Sequence, residues 1–185
     1  MDNKGSIVIA TFGGLGKTTF ARKYPDIAID LEGITYKYIY HSRRSRQMIR
    51  AGIHEPLKGL DSDRSLNPMY PANYVGDIIA NLGKYRYILI VLSPEVLKEL
   101  ERKHIGYYLI CPAGDAKKTI LKRLHERGNT STFINKIDKI LSSTEIAVLQ
   151  KTLQPIAFYR LPKDSYLEEF IYTTFCAPAA TRSDM

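Results

Sequence analysis

The sequence predicts a three-layer α/β fold built on a mostly parallel sheet of about five strands. Three observations carry that expectation. Short apolar runs alternate along the chain with longer stretches of helical periodicity. The strongest run, Tyr87 to Leu92, is continuously apolar, as a strand covered by helices on both faces must be. A glycine-rich turn stands between the first run and the first helical stretch, where a strand–turn–helix unit requires one.

Taken in order, Ser6 to Thr11 contains Ile-Val-Ile-Ala and predicts a short buried strand leading into that turn. Helical character follows from Thr18 to Tyr24, and Pro25 ends it because proline has no amide hydrogen with which to continue the ladder. Ile27 to Asp30 reads as a second strand finishing on a carboxylate. After Tyr87 to Leu92, Ser93 and Pro94 suit the N-cap and first-turn positions of a helix reaching Lys103. Tyr107 to Cys111 and Ile156 to Arg160 supply two further strands. Helices over Asp115 to Glu126, Thr132 to Leu141 and Glu145 to Leu153 gather Ile120 and Leu124, Phe133 and Ile137, and Ile146 and Leu149 on their inner faces. A last helix, Tyr166 to Phe175, packs back onto the sheet. Residues 36–73 break the alternation: basic at first, then rich in Gly, Asp, Ser and Pro, they read as an insertion over one face. No repeat or linker divides the chain, so residues 1–185 read as a single domain.

The chain is 44% hydrophobic and 25% charged, which suffices for one continuous core and leaves no segment polar enough for a disordered arm. No apolar run is long enough to span a bilayer, so no membrane partner is expected. The first apolar run passes at once into the glycine-rich turn, which does not suit a signal peptide. Cys111 and Cys176 lie in apolar stretches and read as two buried free thiols in a reducing compartment, the cytoplasm. A formal net charge of +8 concentrates anions at the surface and suits phosphate-bearing ligands without specifying nucleic acid.

The stretch Thr11-Phe-Gly-Gly-Leu-Gly-Lys-Thr-Thr19 occupies the glycine-rich turn. It matches the phosphate-binding loop pattern except at Thr11, where the pattern begins with glycine. Gly13, Gly14 and Gly16 allow a tight backbone to approach phosphates, and the amides through Leu15 and Thr19 supply donors. Lys17 is expected to reach the β- and γ-phosphates of ATP, and Thr18 to offer its hydroxyl to Mg²⁺. With this motif in place, the expected fold becomes a P-loop NTPase fold.

Asp30, followed by Glu32, ends the second strand, and ligand crevices in parallel sheets lie outside such ends. A carboxylate there can orient an acceptor group in line with the γ-phosphorus and address magnesium through water. Tyr36 and Lys37, then Arg43, Arg44, Arg46 and Arg50, open the insertion, which is therefore assigned to the acceptor side. Arginine forks suit phosphate and aromatic rings suit a base. Solvated positive charge is the competing reading of each arginine. Arg64 and Arg86 are weaker cations near the same crevice. Ser93 stands where a motor-type ATPase usually carries an acidic residue, which argues for a compact kinase instead.

Residues 112–130 read as a helical lid. Arg123 and Arg127 are spaced to share one helix face, with Lys117, Lys118 and Lys122 beside them. Cations on a closing lid can neutralise the charge that spreads over a transferring phosphoryl group, and closure excludes water.

Together these pieces resemble the small P-loop nucleoside and nucleotide kinases, the adenylate-kinase-like group, and especially the compact deoxynucleoside monophosphate kinases of bacteriophages. The residues that carry the resemblance are Gly13-Gly-Leu-Gly-Lys-Thr18, Ile29-Asp-Leu-Glu32, Asn67-Pro-Met-Tyr-Pro-Ala-Asn-Tyr74, Ile88-Leu-Ile-Val-Leu-Ser93 and Lys122-Arg-Leu-His-Glu-Arg-Gly-Asn129. The resemblance implies an ATP-dependent enzyme with Lys17 and Thr18 on ATP and magnesium and Asp30 on the acceptor. Arg123 and Arg127 would clamp the transferring phosphate, and Leu161 to Asp164 would contact adenine. It also implies a cytoplasmic setting, that of the host if the chain is virus-encoded. Kinases of a polynucleotide hydroxyl, or of hydroxymethylated bases in viral DNA, share the core and form the alternative. The oligomeric state is left open.

Overall fold

A computed structural model describes residues 3–176, so the expected domain limits at 1 and 185 lie outside the described residues. The main sheet has five strands: β1 (Ile7–Thr11), β2 (Ala28–Leu31), β5 (Tyr87–Val91), β6 (Tyr108–Pro112) and β7 (Ala157–Leu161). Their order across the sheet is β2-β5-β1-β6-β7, and every pairing is parallel. The central strand β1 runs beside β5 with Ile9 opposite Leu89 and Thr11 opposite Val91, and beside β6 with Thr11 opposite Ile110.

Buried strand side chains alternate between two apolar clusters, one on each face, which is the arrangement of a layered α/β fold. Val8, Ala10, Ile88 and Ile90 pack with helices α4 (Ala72–Asn81), α5 (Pro94–Arg102) and α8 (Glu145–Thr152). Ile9, Leu89 and Ile110 pack with α1 (Lys17–Lys23), α6 (Lys117–Glu126), α7 (Ser131–Ser142) and α9 (Leu167–Ile171). The chain therefore leaves β1 toward one face, where Phe20 of α1 is buried, and leaves β5 toward the other, where Val96 and Leu97 of α5 are buried. Divergence of that kind opens a crevice at the carboxyl ends of β1 and β5.

The insertion is more structured than expected. It contains α2 (Ile34–Lys37), a two-stranded antiparallel ribbon of β3 (Tyr38–Tyr40) and β4 (Arg64–Leu66), and α3 (Arg43–Arg50). The Ser42 hydroxyl caps α3 by accepting the Ser45 amide, and itself donates to Asp63 at 2.7 Å. Helix α4 is an addition to the sequence reading. Its Tyr74 hydroxyl donates to the Leu31 carbonyl at 2.5 Å and accepts the Val91 amide at 3.2 Å, which ties the ends of β2 and β5 together.

Helix α6, within the lid-like region 112–130, is a layer of the core, with Ile120 and Leu124 buried. Its apolar face fixes it, so its cations project from a stable platform. Two expectations are corrected. Cys111 is buried, but Cys176 is exposed, with its Sγ 3.2 Å from the Tyr87 hydroxyl. Ser93 precedes α5 but does not cap it with its side chain; the hydroxyl instead donates to Glu95 at 2.6 Å and meets the Tyr70 hydroxyl at 2.6 Å. No described helix is long and apolar enough to cross a membrane.

Candidate functional site

The loop from Phe12 to Gly16 turns at the carboxyl edge of β1. Gly14 and Gly16 take φ of +84° and +102°, a left-handed backbone that a side chain disfavours, and Gly16 delivers the chain directly into α1. Thr11 still belongs to the strand. Its side chain is buried and its Oγ1 has no hydrogen-bond partner among the described residues, so its departure from the glycine pattern precedes the turn itself.

Lys17 begins α1 and is only 9% exposed. Burial pushes its ammonium below the usual range, Asp30 and Glu32 pull the other way, and the charges of Lys58 and Arg127 depress it further. The Thr18 hydroxyl donates to Asp30 Oδ2 at 2.7 Å. That bond uses the hydroxyl proton and leaves its lone pairs free to face a cation. The other carboxylate oxygen, Asp30 Oδ1, is buried without a partner among the described residues. An orphaned carboxylate oxygen beside a threonine hydroxyl suits hydrated Mg²⁺, which favours oxygen donors, keeps several waters and takes one or two carboxylates. The described residues contain no group of three or more His, Cys, Asp or Glu side chains set to hold a metal by themselves.

Glu32, just beyond β2, receives Lys58 Nζ at 3.2 Å in a pair whose side chains are 14% and 13% exposed. Burial alone would raise the Glu32 pKa, but Lys58 and Lys17 outweigh it and hold the group below its ordinary value. Lys58 also lies 5.9 Å from the Phe133 ring centre. Arg127 closes the same neighbourhood by donating to Glu55 Oε1 at 2.8 Å. Sequence reasoning singled out neither Lys58 nor Glu55. Their partners lie far away in the chain, so no local spacing signals either contact.

The other expected site residues are distributed differently. Arg43, Arg44 and Arg46 project from α3 and are exposed, with Arg46 bonded to the His41 carbonyl at 2.6 Å. Tyr36 stacks on Tyr74 with ring centres 4.5 Å apart and donates to Asp77, while Lys37 faces Glu95 at 3.5 Å and the Tyr70 ring at 5.1 Å. Both therefore tie the start of the insertion to α4 and α5. Arg64 lies over the Tyr38 ring at 3.7 Å and donates to Asp61. Arg86 precedes β5, at the edge of the sheet opposite the crevice, and donates to the Phe175 carbonyl.

Arg123 does not accompany Arg127. It lies over the Tyr166 ring at 4.0 Å and donates to the Lys163 carbonyl at 3.3 Å. Tyr166 in turn borders an open cleft of about 580 Å³ with Gly16, Thr19, Phe20 and Tyr172. The two arginines expected to share one helix face thus serve different neighbourhoods, because Arg127 has already passed the end of α6.

A scan of the chain against protein-family models finds no match, and a search of curated proteins finds none either.

Proposed function

We propose that this protein is an ATP- and magnesium-dependent phosphotransferase of the P-loop NTPase class acting on a nucleoside monophosphate, a deoxynucleotide being the leading acceptor. The observation that carries the reading is the buried Lys17 beside the bonded Thr18–Asp30 pair, at the carboxyl edge of a parallel sheet and directly after a glycine turn. In this reading the loop amides and Lys17 hold the triphosphate of ATP. The aromatic cleft beside Gly16, bordered by Tyr166 with Arg123 stacked on it, takes the donor base. Thr18 would hold hydrated Mg²⁺, which Asp30 meets only through water and which, when bound, neutralises phosphate charge. Asp30 Oδ1 orients the acceptor, and Arg127 faces the group in transit. Transfer breaks the bond from the γ-phosphorus to the β-bridging oxygen, forms one to the acceptor oxygen, and leaves ADP.

A specific observation also supports a polynucleotide acceptor, through a terminal hydroxyl or a hydroxymethylated base. Helix α3 exposes Arg43, Arg44, Arg46 and Arg50 together, and none of them meets a carboxylate among the described residues.

An ATP-depletion screen decides between them. The acceptors are the ribo- and deoxynucleoside monophosphates, beside single- and double-stranded DNA with ordinary and hydroxymethylated bases. Phosphorylated product with one class assigns the acceptor, and no product with any of them rejects the reading. Lys17→Ala is the control: it is expected to lower transfer by about a hundredfold or more while the thermal unfolding transition persists.

A further inference from the structure

Residues 54–60 cross from the insertion to the turn between α6 and α7, and the crossing is held at several points. Arg127 donates to the Glu55 carboxylate at 2.8 Å, and Asn129 Nδ2 donates to the Glu55 carbonyl at 3.4 Å. The Thr130 hydroxyl donates to the Lys58 carbonyl. Gly59 has φ +88°, and a Cβ there would lie 2.7 Å from Thr130 Oγ1 and 3.0 Å from the Phe133 nitrogen. The strap therefore seats against residues 127–133 so closely that only glycine fits.

What the strap carries is Lys58. Three cations from separate parts of the chain gather here: Lys17 lies in the field of Lys58, Arg127, Asp30 and Glu32, while Lys58 pairs with Glu32 and Arg127 with Glu55. A buried ion pair is a poor source of stability, since desolvation of both ions offsets most of the attraction. Placing one within the field of a second buried lysine suits a different purpose. Glu32 and Glu55 occupy the cations until a stronger anion arrives.

Resting on the donor-site reading above, we propose that Lys58 is a phosphate-binding residue that leaves Glu32 to engage the γ-phosphate of ATP, supplied to the site by the docked strap. The γ-phosphate distinguishes ATP from ADP, so Lys58 should matter for one nucleotide and not the other. A lysine that merely pairs with Glu32 would show no such preference.

The test measures MgATP and MgADP dissociation constants by calorimetry for the full chain and for Lys58→Met, Lys58→Arg and Gly59→Ala. Lys58→Met keeps the length of the side chain and removes its charge. It is expected to weaken MgATP binding by about tenfold or more, the loss of one charge-assisted contact, and to leave MgADP within about twofold. Lys58→Arg should restore most of the difference. Gly59→Ala displaces the strap with every charge retained and should also weaken MgATP selectively, so it supplies the answer if Lys58→Met loses its cooperative unfolding transition. Equal weakening of both nucleotides, or of neither, overturns the assignment of Lys58 while the donor site stands. A parent chain that binds neither nucleotide overturns the donor-site reading and this assignment with it.

Discussion

In the proposed reading, Asp30 joins two tasks at one carboxylate. Its Oδ2 is bonded to Thr18 and its Oδ1 is free, so substitution by Asn preserves the shape and removes the charge. Asp30→Asn is expected to keep MgATP binding within about threefold and to lose most transfer, because its charge matters chiefly as the reaction proceeds. Dissociation constants measured beside turnover check this. Equal loss of both would assign the carboxylate to the magnesium shell alone. Glu32 permits a pH prediction. Its folded-state pKa lies below the ordinary 4.5, so the unfolded chain binds more protons between the two values. The stability it contributes is complete above pH 4.5 and is lost as pH falls through the lower folded value. Glu32→Gln should cost on the order of 2 kcal/mol at neutral pH by leaving buried cations uncompensated. The gap between variant and parent in denaturant melts should narrow below pH 4.5; a gap independent of pH would remove Glu32 from this account. The placement of Lys17, Thr18 and Asp30 at the carboxyl edge of the sheet was legible in the sequence because turn and strand end are local patterns. Lys58 and Glu55 were not, since tertiary contacts alone define them.

At the level of elements, the five strands of the sheet were readable because their apolar runs are continuous and bounded by turn residues. Helix α4 escaped notice. Gly76 interrupts its interior and two prolines stand just before it, so the buried face of Tyr74, Val75 and Ile78 is short. The three-residue strands β3 and β4 are too brief for alternation to register. Yet α4 positions the site, because the Tyr74 hydroxyl spans the ends of β2 and β5. Tyr74→Phe removes the hydroxyl from a buried carbonyl and a part-buried amide, at a cost of about 2 kcal/mol. Turnover should fall with it, as Asp30 and Glu32 leave β2 from the strand end that this hydroxyl holds. Urea denaturation beside the acceptor assay tests both. Unchanged stability with unchanged turnover would reduce the hydroxyl to a filler of space.

At the scale of the whole molecule, the net charge is +8, and the arginines of α3 form an exposed group among the described residues. Sequence alone grouped Arg43, Arg44 and Arg46 with the acceptor phosphate, whereas the fold sets them on an exposed helix and gives Lys58 the enclosed position. A mononucleotide would make few contacts with such a helix. A single strand held by those three arginines would bind with a slope of log K against log salt of about −2, at about −0.7 per neutralised phosphate. The Arg43, Arg44 and Arg46 triple alanine variant should flatten that slope in filter-binding titrations. If the slope does not change, the arginines are solvated charge and the mononucleotide reading gains.

The position of β1 has a consequence for how the protein comes into being. The strand that leads into the glycine turn is the middle of the sheet, and Ile9 must wait for Leu89 and then Tyr108, far along the chain, before both its edges are paired. Parallel neighbours so distant along the chain make for slow, non-local assembly. Throughout translation of the intervening residues, the ribosome-bound chain has a glycine loop with neither wall beside it. A ligand that needs both walls, as the proposed nucleotide does, can therefore reward only a chain made at least through β6: it acts late in folding and cannot guide the first step.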